Sequence, residues 1–522
     1  MSERDDLARA GRAMAAATIA SRVTGFLRVL AMGAALGVGT ALMSGYTVAN
    51  TVPNALFDLL LGGALGSVLV PLLVRAAHDD PRAGDLYARR LLALVVYLLG
   101  AATVVTVVLA PQIVSLYAPH FHGAQREATV GFARLLLPQI LFYGTSAALA
   151  AVLNVRGRMA TPMRAPIVNN LVVIATAGIY LLIGGTHDAG ALTRTQALVL
   201  SLGTTAGVAA QLLVLAWASR RAGFTPRPAA DPRGIGIRRV LRLAGWTLAS
   251  VLATQTVFLV VTRLLSGAGE GAIGVYANAY TLFQLPYAVI AVTVMTGMLP
   301  RMSRSAAASD LAGITADLSR GLRVTAVVLL PAAAALMLLG QQIATVLFGD
   351  GRQAGPVVAA FGLALMPFAA YQIMMRAFAA LQDTRTQALI GGVVAASTIG
   401  TVLTLAHLLP ASRLAAGTAA ASAAGHTIGA LVAAAVLRRR LGRIDGRRLV
   451  ASHARMALAV LAAAAAGALV LALVAPAAGM GRAGSLTTML AVAVTGAALY
   501  AVAARWMRVN ELRVVLAALP TP

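Results

Sequence analysis

Three charged side chains lie inside two long apolar stretches near the start of the sequence. Arg22 and Arg28 fall within the stretch at 13–36, and Asp58 falls within the stretch at 46–75. Each stretch is long enough to cross a bilayer as a helix. A charge near the bilayer centre costs about 2.5–3.5 kcal/mol on insertion scales, so these three side chains must face protein or water. Two arginines against one aspartate leave a surplus positive charge, which suits an anionic substrate in a polar cavity within the membrane.

The spacing of these residues indicates which of them share a helix face. Arg22 and Arg28 are six positions apart and point about 120° from one another, whereas Ser21 and Arg28 are seven apart and share a face. Arg28 lies about 15 residues into its stretch, which at 1.5 Å per residue is beyond easy reach of the inner surface. Arg28 therefore either binds the substrate or forms a structural ion pair with Asp58.

A bend in the chain is predicted next to Asp58. Pro53 precedes it and interrupts helical hydrogen bonding, and Gly62 and Gly63 follow it. Irregular backbone within a membrane is tolerated where it lines a cavity, and broken helices form the binding sites of many transporters. We therefore expect Pro53, Gly62 and Gly63 to form a hinge beside the site.

Other polar side chains inside apolar stretches have simpler interpretations. Arg263 lies near the end of the seventh stretch, where it either faces the cavity or extends along the helix to the lipid headgroups. Asn169 and Asn170 are expected to form hydrogen bonds between helices. His426 could titrate, although a lone His in an alanine-rich helix is expected to be satisfied by a neighbouring group.

Composition places the chain among membrane proteins. Of its 522 residues, 59% are hydrophobic and 11% are charged, with a mean hydropathy of +0.83. A soluble globular protein would have about a quarter of its residues charged. There is no cysteine, which excludes disulfides, thiolate metal sites and cysteine nucleophiles. The predicted fold class is an all-α polytopic membrane protein.

The sequence predicts fourteen transmembrane helices. Apolar stretches of sufficient length occur at 13–36, 46–75, 88–110, 130–153, 166–184, 196–218, 240–265, 274–300, 322–345, 356–381, 387–409, 414–437, 455–475 and 486–507. The first stretch is not expected to be a cleavable signal peptide, because it carries internal arginines and leads directly into another span.

The arginines indicate how the chain crosses the membrane. With a cytoplasmic N-terminus, the inner segments carry most of the 42 basic residues, whereas the outer loops carry one each, at Arg126, Arg194, Arg352, Arg413 and Arg482. This asymmetry is the positive-inside pattern. Both termini are therefore predicted to be cytoplasmic, in a multi-pass protein of the cell inner (plasma) membrane. Topology and anionic lipid then account for the net charge of +25, so nucleic-acid binding is not expected.

An internal repeat is visible at a separation of about 230 residues. Pro71 corresponds to Pro300, and Pro138 corresponds to Pro367. Six spans separate equivalent points, so the two halves should share one orientation, related by a pseudo-two-fold axis along the membrane normal and facing each other across a central cavity. The predicted division is an N-terminal lobe at 1–219 (spans 1–6), a cytoplasmic linker at 220–239, a C-terminal lobe at 240–437 (spans 7–12), a cytoplasmic linker at 438–454, and two extra C-terminal helices (spans 13 and 14) with a short cytoplasmic tail at 455–522.

Five motifs, in this order, resemble those of the MurJ (MviN) family. They are ASRVTGFLR at 20–28, ANTVPNALFDLLLGGALGSVLVPLL at 49–73, LNVRGRM at 153–159, YANAYTLFQLPYAVIAVTVMTGMLPRMSR at 276–304 and MRAFAALQDTRT at 375–386. The resemblance covers essentially the whole chain. It implies a flippase of the multidrug/oligosaccharidyl-lipid/polysaccharide exporter superfamily. Such a protein moves lipid II, the undecaprenyl-pyrophosphate-linked peptidoglycan precursor, from the inner to the outer leaflet for cell-wall synthesis.

The resemblance also implies roles for single residues. Ser21, Arg22 and Arg28 match the family's SR…GF.R motif, whose arginines are expected to face the substrate pyrophosphate. Together with Asp58 and Arg263, they form the predicted substrate-binding set.

The chain departs from the family pattern at three positions. Val29 stands where many relatives have a carboxylate, Thr51 where they have a basic residue, and Thr281 where they have an arginine. Asp58 and Arg263 are the candidates to compensate for these missing charges.

Three alternative functions have to be weighed. The chain could export another polyprenyl-linked oligosaccharide, or it could be a cation-coupled drug exporter of the same superfamily. A drug exporter normally needs membrane carboxylates, and Asp58 is the one acid among 17 that falls within a predicted span. A polyprenyl-diphosphate enzyme is suggested by the magnesium-motif spacing of Asp79, Asp80 and Asp85, but no second acidic cluster on an inner loop completes such a site. We therefore expect a transporter and no catalytic residues.

The expected mechanism is alternating access between the two lobes, with the lipid tail in a groove that the resemblance places at spans 13 and 14. No cofactor or metal site is expected, whereas a coupling ion or the membrane potential could drive the cycle. The expected partners are lipid II and membrane lipids, and the expected state is a monomer.

Overall fold

The structure is a computed structural model that describes residues 3–62, 81–229, 237–349, 351–479, 481–509 and 511–512, together with Leu73. Every regular element in these ranges is a helix, which confirms the all-α prediction. Thirteen helices among the described residues are long and apolar enough to cross a membrane. The second predicted span, at 46–75, begins as a helix and continues into residues outside those described. The predicted count of fourteen is therefore not confirmed.

The chain divides into two compact units, Met1–Gly274 and Val275–Pro522. The helices of the first unit are α1 (Glu3–Leu36), α2 (Ala41–Phe57), the π-helix π1 (Asp58–Gly62), α3 (Pro81–Val108), α4 (Ala110–Tyr117), α5 (Gly123–Leu136), α6 (Gln139–Val155), α7 (Ala160–Leu182), α8 (Arg194–Arg221) and α9 (Ile237–Leu265). The lobe boundary at 220–239 rests on the sequence repeat and stays a prediction.

Glycine and threonine define the turn between the first two helices. Gly37 has a φ of 75°, a left-handed conformation that glycine adopts without a steric penalty, and it follows the last residue of α1. Thr40 is extended and caps α2, because its hydroxyl oxygen accepts a hydrogen bond from the Met43 N–H at 3.0 Å. The 34 residues of α1 before this turn form one uninterrupted helix, which carries Arg22 and Arg28.

An asparagine joins α1 to α7. Asn170 Nδ2 donates to the Ser21 carbonyl at 3.3 Å and to the Thr24 hydroxyl at 3.1 Å, so the predicted bond between helices is present for this residue. Asn169 is buried and packs against Gly207 of α8, where a Cβ would lie 2.5 Å from Asn169 Oδ1. Small residues at such crossings let helices approach closely within a membrane. Asn170 thereby fixes the part of α1 that precedes Arg28.

The regular elements described in the second unit are also helices. They are α10 (Ala272–Pro286, whose first residues belong to the first unit), the π-helix π2 (Tyr287–Ala291), α11 (Val292–Ala307), α12 (Leu311–Phe348), α13 (Gly351–Ala380), α14 (Thr384–Leu408), α15 (Ala411–Leu441), α16 (Gly446–Ala478) and α17 (Arg482–Trp506). Only residues 442–445 separate α15 from α16, so much of the predicted linker at 438–454 is helical. The close crossing of α12 and α13 depends on glycine, because a Cβ on Gly340 would lie 2.6 Å from the Gly355 carbonyl oxygen.

The two π-helices occupy equivalent positions in the sequence repeat. Asp58 begins π1 and Tyr287 begins π2, at the same separation of about 230 residues that relates Pro138 to Pro367. A π-helical turn inserts one extra residue into an α-helix, and such insertions are frequent at functional sites. Both halves of the repeat therefore carry the same irregularity at the same place.

One repeated proline has different effects in the two halves. Pro138 is the N-cap of α6 and separates it from α5, so the fourth predicted span, at 130–153, is two helices meeting at a turn. Its equivalent Pro367 lies inside α13, which continues through it. A proline removes one backbone hydrogen bond wherever it occurs, but packing decides whether the helix also breaks.

Candidate functional site

Arg28 lies on α1 of the first unit. Near it is a group of polar side chains that we call the polar wall: Tyr46, Thr204, Tyr143, Gln139 and Thr205. The charge of Arg28 acts on the hydroxyls of Tyr46 on α2 and Tyr143 on α6. Tyr46 is only 4% exposed, and its hydroxyl is 2.7 Å from the Thr204 hydroxyl on α8. The Arg28 side chain itself is half-buried. The half-buried cation is therefore within electrostatic range of two tyrosine hydroxyls, and the Tyr46 side chain is buried.

The polar wall continues from Tyr143. Its hydroxyl donates to Gln139 Oε1 at 3.1 Å and is within hydrogen-bonding reach of the Asn54 side chain. Gln139 is buried, and its Nε2 donates to the Thr205 hydroxyl at 3.2 Å. Sequence reasoning missed this network, because tyrosine and glutamine on separate helices carry no local pattern. The signal that was available is their position within apolar stretches, where polar groups must be satisfied.

The other motif residues of α1 are less enclosed. Arg22 is exposed and Ser21 is half-buried, with its carbonyl held by Asn170. The region around Arg28 therefore offers one partly enclosed cation and a second, more accessible one on the same helix.

Asp58 is half-buried at the first residue of π1, and it does not pair with Arg28. The ion pairs formed among the described residues are Arg156–Asp85, Arg301–Asp317, Arg323–Glu511 and Arg440–Asp383. The described side chains therefore do not form the ion pair between Arg28 and Asp58, which was the structural alternative to a substrate-binding role for Arg28. Of the predicted hinge, Pro53 lies inside α2 and Gly62 ends π1, whereas Gly63 lies outside the described residues.

Arg263 lies away from the polar wall, at the last turn of α9. Its Nη1 donates to the Leu116 carbonyl of α4 at 3.0 Å. Thr51 and Thr281 donate to carbonyls of their own helices, at Thr47 and Ala277. Two of the three departures from the family pattern are thus neutral side chains whose hydroxyls form hydrogen bonds within their own helices. That Arg263 or Asp58 compensates for the missing charges stays a prediction.

One of the aspartates that suggested a metal site has another partner. Asp85 forms an ion pair with Arg156, whose Nη1 also donates to the Ala222 carbonyl at 2.5 Å and whose guanidinium lies 5.5 Å from the centre of the Phe224 ring. Within the described ranges, no group of three or more acidic or histidine side chains could hold a metal ion. The neighbouring Asp79 and Asp80 lie outside those ranges.

An apolar cavity of about 460 Å³ lies within the second unit, between α12, α16 and α17. It is lined almost entirely by small and aliphatic side chains, among them Pro331, Ala335, Val460, Gly467 and Gly496. One wall is anchored by Tyr500, whose hydroxyl donates to the Val327 carbonyl at 2.7 Å. The cavity lies at the two helices where the sequence resemblance predicts a groove for a lipid tail.

The family motif at 375–386 has a structural role. Asp383 caps α14 by accepting a hydrogen bond from the Thr386 N–H at 3.0 Å, and it forms an ion pair with Arg440 of α15. Burial raises the pKa of Asp383, but the hydrogen bonds from Thr386 and the charge of Arg440 outweigh it and hold the pKa below its ordinary value. This motif therefore fixes the turn between α13 and α14.

Comparison with known proteins places these features in a family. A family model described as "Lipid II flippase MurJ" matches residues 32–501. A probable lipid II flippase MurJ of Rhizobium meliloti is 31% identical over 414 residues, covering 76% of this chain and 75% of that protein. The lipid II flippase MurJ of Burkholderia cenocepacia is 26% identical over 386 residues, covering 71% of this chain and 72% of that protein.

Solved structures agree on the fold. A lipid II flippase MurJ in an inward closed conformation superposes with a TM-score of 0.74 at 16% identity, covering 94% of this chain and 98% of that one. An inward-facing multidrug resistance transporter of the MATE family and MOP superfamily gives a TM-score of 0.68 at 15% identity, over 81% of this chain and 96% of that one. The family match spans most of the sequence and the fold is shared, so the chain belongs to the MurJ family of lipid II flippases.

Proposed function

We propose that this chain moves lipid II from the inner to the outer leaflet of the plasma membrane, as a transporter that works by alternating access. The observation that carries the proposal is Arg28, a partly accessible cation within a predicted span. Its charge acts on the Tyr46 and Tyr143 hydroxyls, and the ion pairs of the described residues do not include one between Arg28 and Asp58. A cation held in this way is available to an anionic ligand.

The proposed binding mode assigns the two ends of the substrate to different places. Arg28 and Arg22 bind the pyrophosphate, since a planar guanidinium can donate two parallel hydrogen bonds to phosphate oxygens. Ser21 lies beside them on α1, and Asp58 and Arg263 adjust the charge of the region. The apolar cavity between α12, α16 and α17 accepts part of the lipid tail, because its lining offers aliphatic surface.

The membrane potential is the proposed source of directionality. Moving one charge across the membrane is worth about 2.3 kcal/mol per 100 mV. A cavity lined by two arginines and no paired acid carries net positive charge when empty, so the potential favours its return to the inner side. Binding of the anionic substrate cancels this charge and permits outward movement.

The proposed orientation, with both termini cytoplasmic, rests on the distribution of arginine and predicts a labelling pattern. Cysteine introduced at Ala191, in the exposed loop between α7 and α8, should react from outside the cell with a membrane-impermeant maleimide. Cysteine at the exposed Thr225, after α8, should react only after permeabilisation. The native chain has no cysteine, so the unmodified protein is the blank. Labelling of Thr225→Cys in intact cells would contradict the orientation.

The function itself is tested in cells depleted of their own lipid II flippase. Expression of this chain should restore growth and increase the lipid II accessible from outside. Asp58→Asn should impair both less than Arg28→Ala, because the proposal gives substrate binding to the cation. If Asp58→Asn abolished export of small cationic drugs and lipid II never became accessible outside, the chain would instead be a drug exporter.

A further inference from the structure

His426, the histidine of α15, packs against two aromatic rings of the second unit. Its ring centre is 4.9 Å from that of Phe368 and 5.6 Å from that of Tyr371, with interplanar angles of 72° and 71°. Both aromatic residues are on α13. The imidazole is thus in edge-to-face contact with two aromatic rings of α13, in the middle of an otherwise alanine-rich helix.

The hydrogen bonds of His426 determine where a proton can be added. Nδ1 lies 2.7 Å from the Ser422 carbonyl oxygen, one turn earlier in α15, and 3.4 Å from the Ser422 hydroxyl. A carbonyl oxygen only accepts hydrogen bonds, so Nδ1 carries the hydrogen of the neutral ring. The lone pair is then on Nε2, and protonation at that atom leaves the bond to Ser422 intact.

The surroundings of the ring provide no carboxylate to balance a new charge. The helices α13, α14 and α15 contain no Asp or Glu. Tyr371 is the titratable group in ring contact with His426 among the described residues. The charged or titratable groups elsewhere on the packed helices are Arg352 and Arg376 on α13, Arg385 and His407 on α14, Arg413, Arg438, Arg439 and Arg440 on α15, and Asp317, Arg320 and Arg323 on α12.

A chain of contacts leads from His426 to the second π-helix. The Phe368 ring also packs edge-to-face against Tyr287, at 4.7 Å between ring centres. Gln372, the residue after Tyr371, donates from Nε2 to the Tyr287 hydroxyl at 3.3 Å. Tyr287 is the first residue of π2, at the position that Asp58 occupies in π1. The imidazole therefore contacts Phe368, which is one of the two side chains that contact Tyr287 at the start of the irregular turn.

We propose that Nε2 of His426 is a proton-binding site of the second unit and that its protonation rearranges the contacts of Tyr287 at π2. Protonation turns Nε2 from an acceptor into a donor and adds a charge between aromatic rings. The cation is accommodated by turning Phe368 or Tyr371 face-on to the ring, or by admitting water. Turning Phe368 alters its packing on Tyr287. The proposal goes beyond lipid II transport, because it requires no substrate.

His453 offers a matched control within the same chain. Its Nδ1 lies 2.8 Å from the Leu449 carbonyl oxygen on α16. This hydrogen bond, to the residue four positions earlier, is equivalent to the one between His426 and Ser422. Unlike His426, it makes no aromatic ring contact within the described residues. A substitution of His453 should therefore remove an imidazole with the same type of hydrogen bond without affecting π2.

The test uses the full-length protein in lipid nanodiscs without substrate, with isotopically labelled histidine and tyrosine ring atoms observed by NMR. The His426 and Tyr287 signals are assigned by their loss in His426→Gln and Tyr287→Phe. We expect the His426 Nε2 signal to titrate as the pH is lowered through the range in which the protein stays folded, and the Tyr287 signal to shift with the same midpoint. The Tyr287 shift should disappear in His426→Gln and persist in His453→Gln.

Two results would overturn the proposal. One is a His426 signal that stays constant over the whole pH range in the unmodified protein, a measurement that needs no variant to fold. The other is a Tyr287 shift that persists in His426→Gln. Because no lipid II is present, neither result depends on whether the chain transports it.

Discussion

Replacing Arg28 with alanine is expected to abolish growth of the flippase-depleted strain while the protein stays inserted and abundant. Removal of a cation from a membrane span also removes an insertion cost of about 2.5–3.5 kcal/mol, so stability should not fall. The structure is consistent with this expectation, since Arg28 forms no ion pair with a carboxylate in the described part of the chain. Growth and protein abundance in membranes are the two measurements.

A conservative variant and a double variant make this prediction specific. Arg28→Lys keeps the charge but loses the planar pair of donors, so it should retain partial function. If Arg28 served only to pair with Asp58, Arg28→Ala would lower abundance by leaving an unpaired carboxylate, and adding Asp58→Asn would restore both abundance and growth. Restored growth in that double variant would contradict the substrate role of Arg28.

Removing one partner of the Arg323–Glu511 ion pair should strongly destabilise the second unit. The pair joins α12 to the chain beyond α17, and both side chains are only 12% exposed. Breaking a buried pair costs about 3–5 kcal/mol, because the remaining charge is left uncompensated. Arg323→Met should therefore lower the melting temperature and the abundance of the protein, measured by thermal denaturation in detergent.

The matched controls are a double variant and an exposed pair. Arg323→Met combined with Glu511→Met should recover most of the lost stability, because no charge is then left unpaired. Arg301→Met breaks the pair with Asp317, in which the arginine side chain is 48% exposed, and should cost no more than about 1 kcal/mol. Equal losses for Arg301→Met and Arg323→Met would show that burial of the pair is not the cause.

Much of the candidate site was visible in the sequence because the relevant signals are local. The length and apolar character of a stretch predict a span without knowledge of its neighbours. A charged side chain within such a stretch raises the free energy of membrane insertion, so it can be selected from the sequence alone. Arg28 and Asp58 could be selected on these grounds alone. Asn170 could likewise be expected to bond another helix, and the structure contains that bond to α1.

The identity of the partners could not be read from the sequence. Opposite charges predicted an ion pair as the alternative for Arg28, but its neighbours are Tyr46 and Tyr143 on two other helices. The break at Pro138 and the continuous helix through Pro367 show the same limit, since equivalent prolines gave different backbones.

The sequence by itself therefore determined the membrane class, the helical fold, the repeat and the residues that carry charge into the membrane. These properties follow from transfer free energies that act on each segment separately. The tertiary structure decided that Arg28 and Asp58 do not pair, where the helices become π-helical, and that His426 packs against aromatic rings, one of which contacts π2. Such contacts join residues on separate helices, and only the packing of whole helices against one another sets which side chains meet.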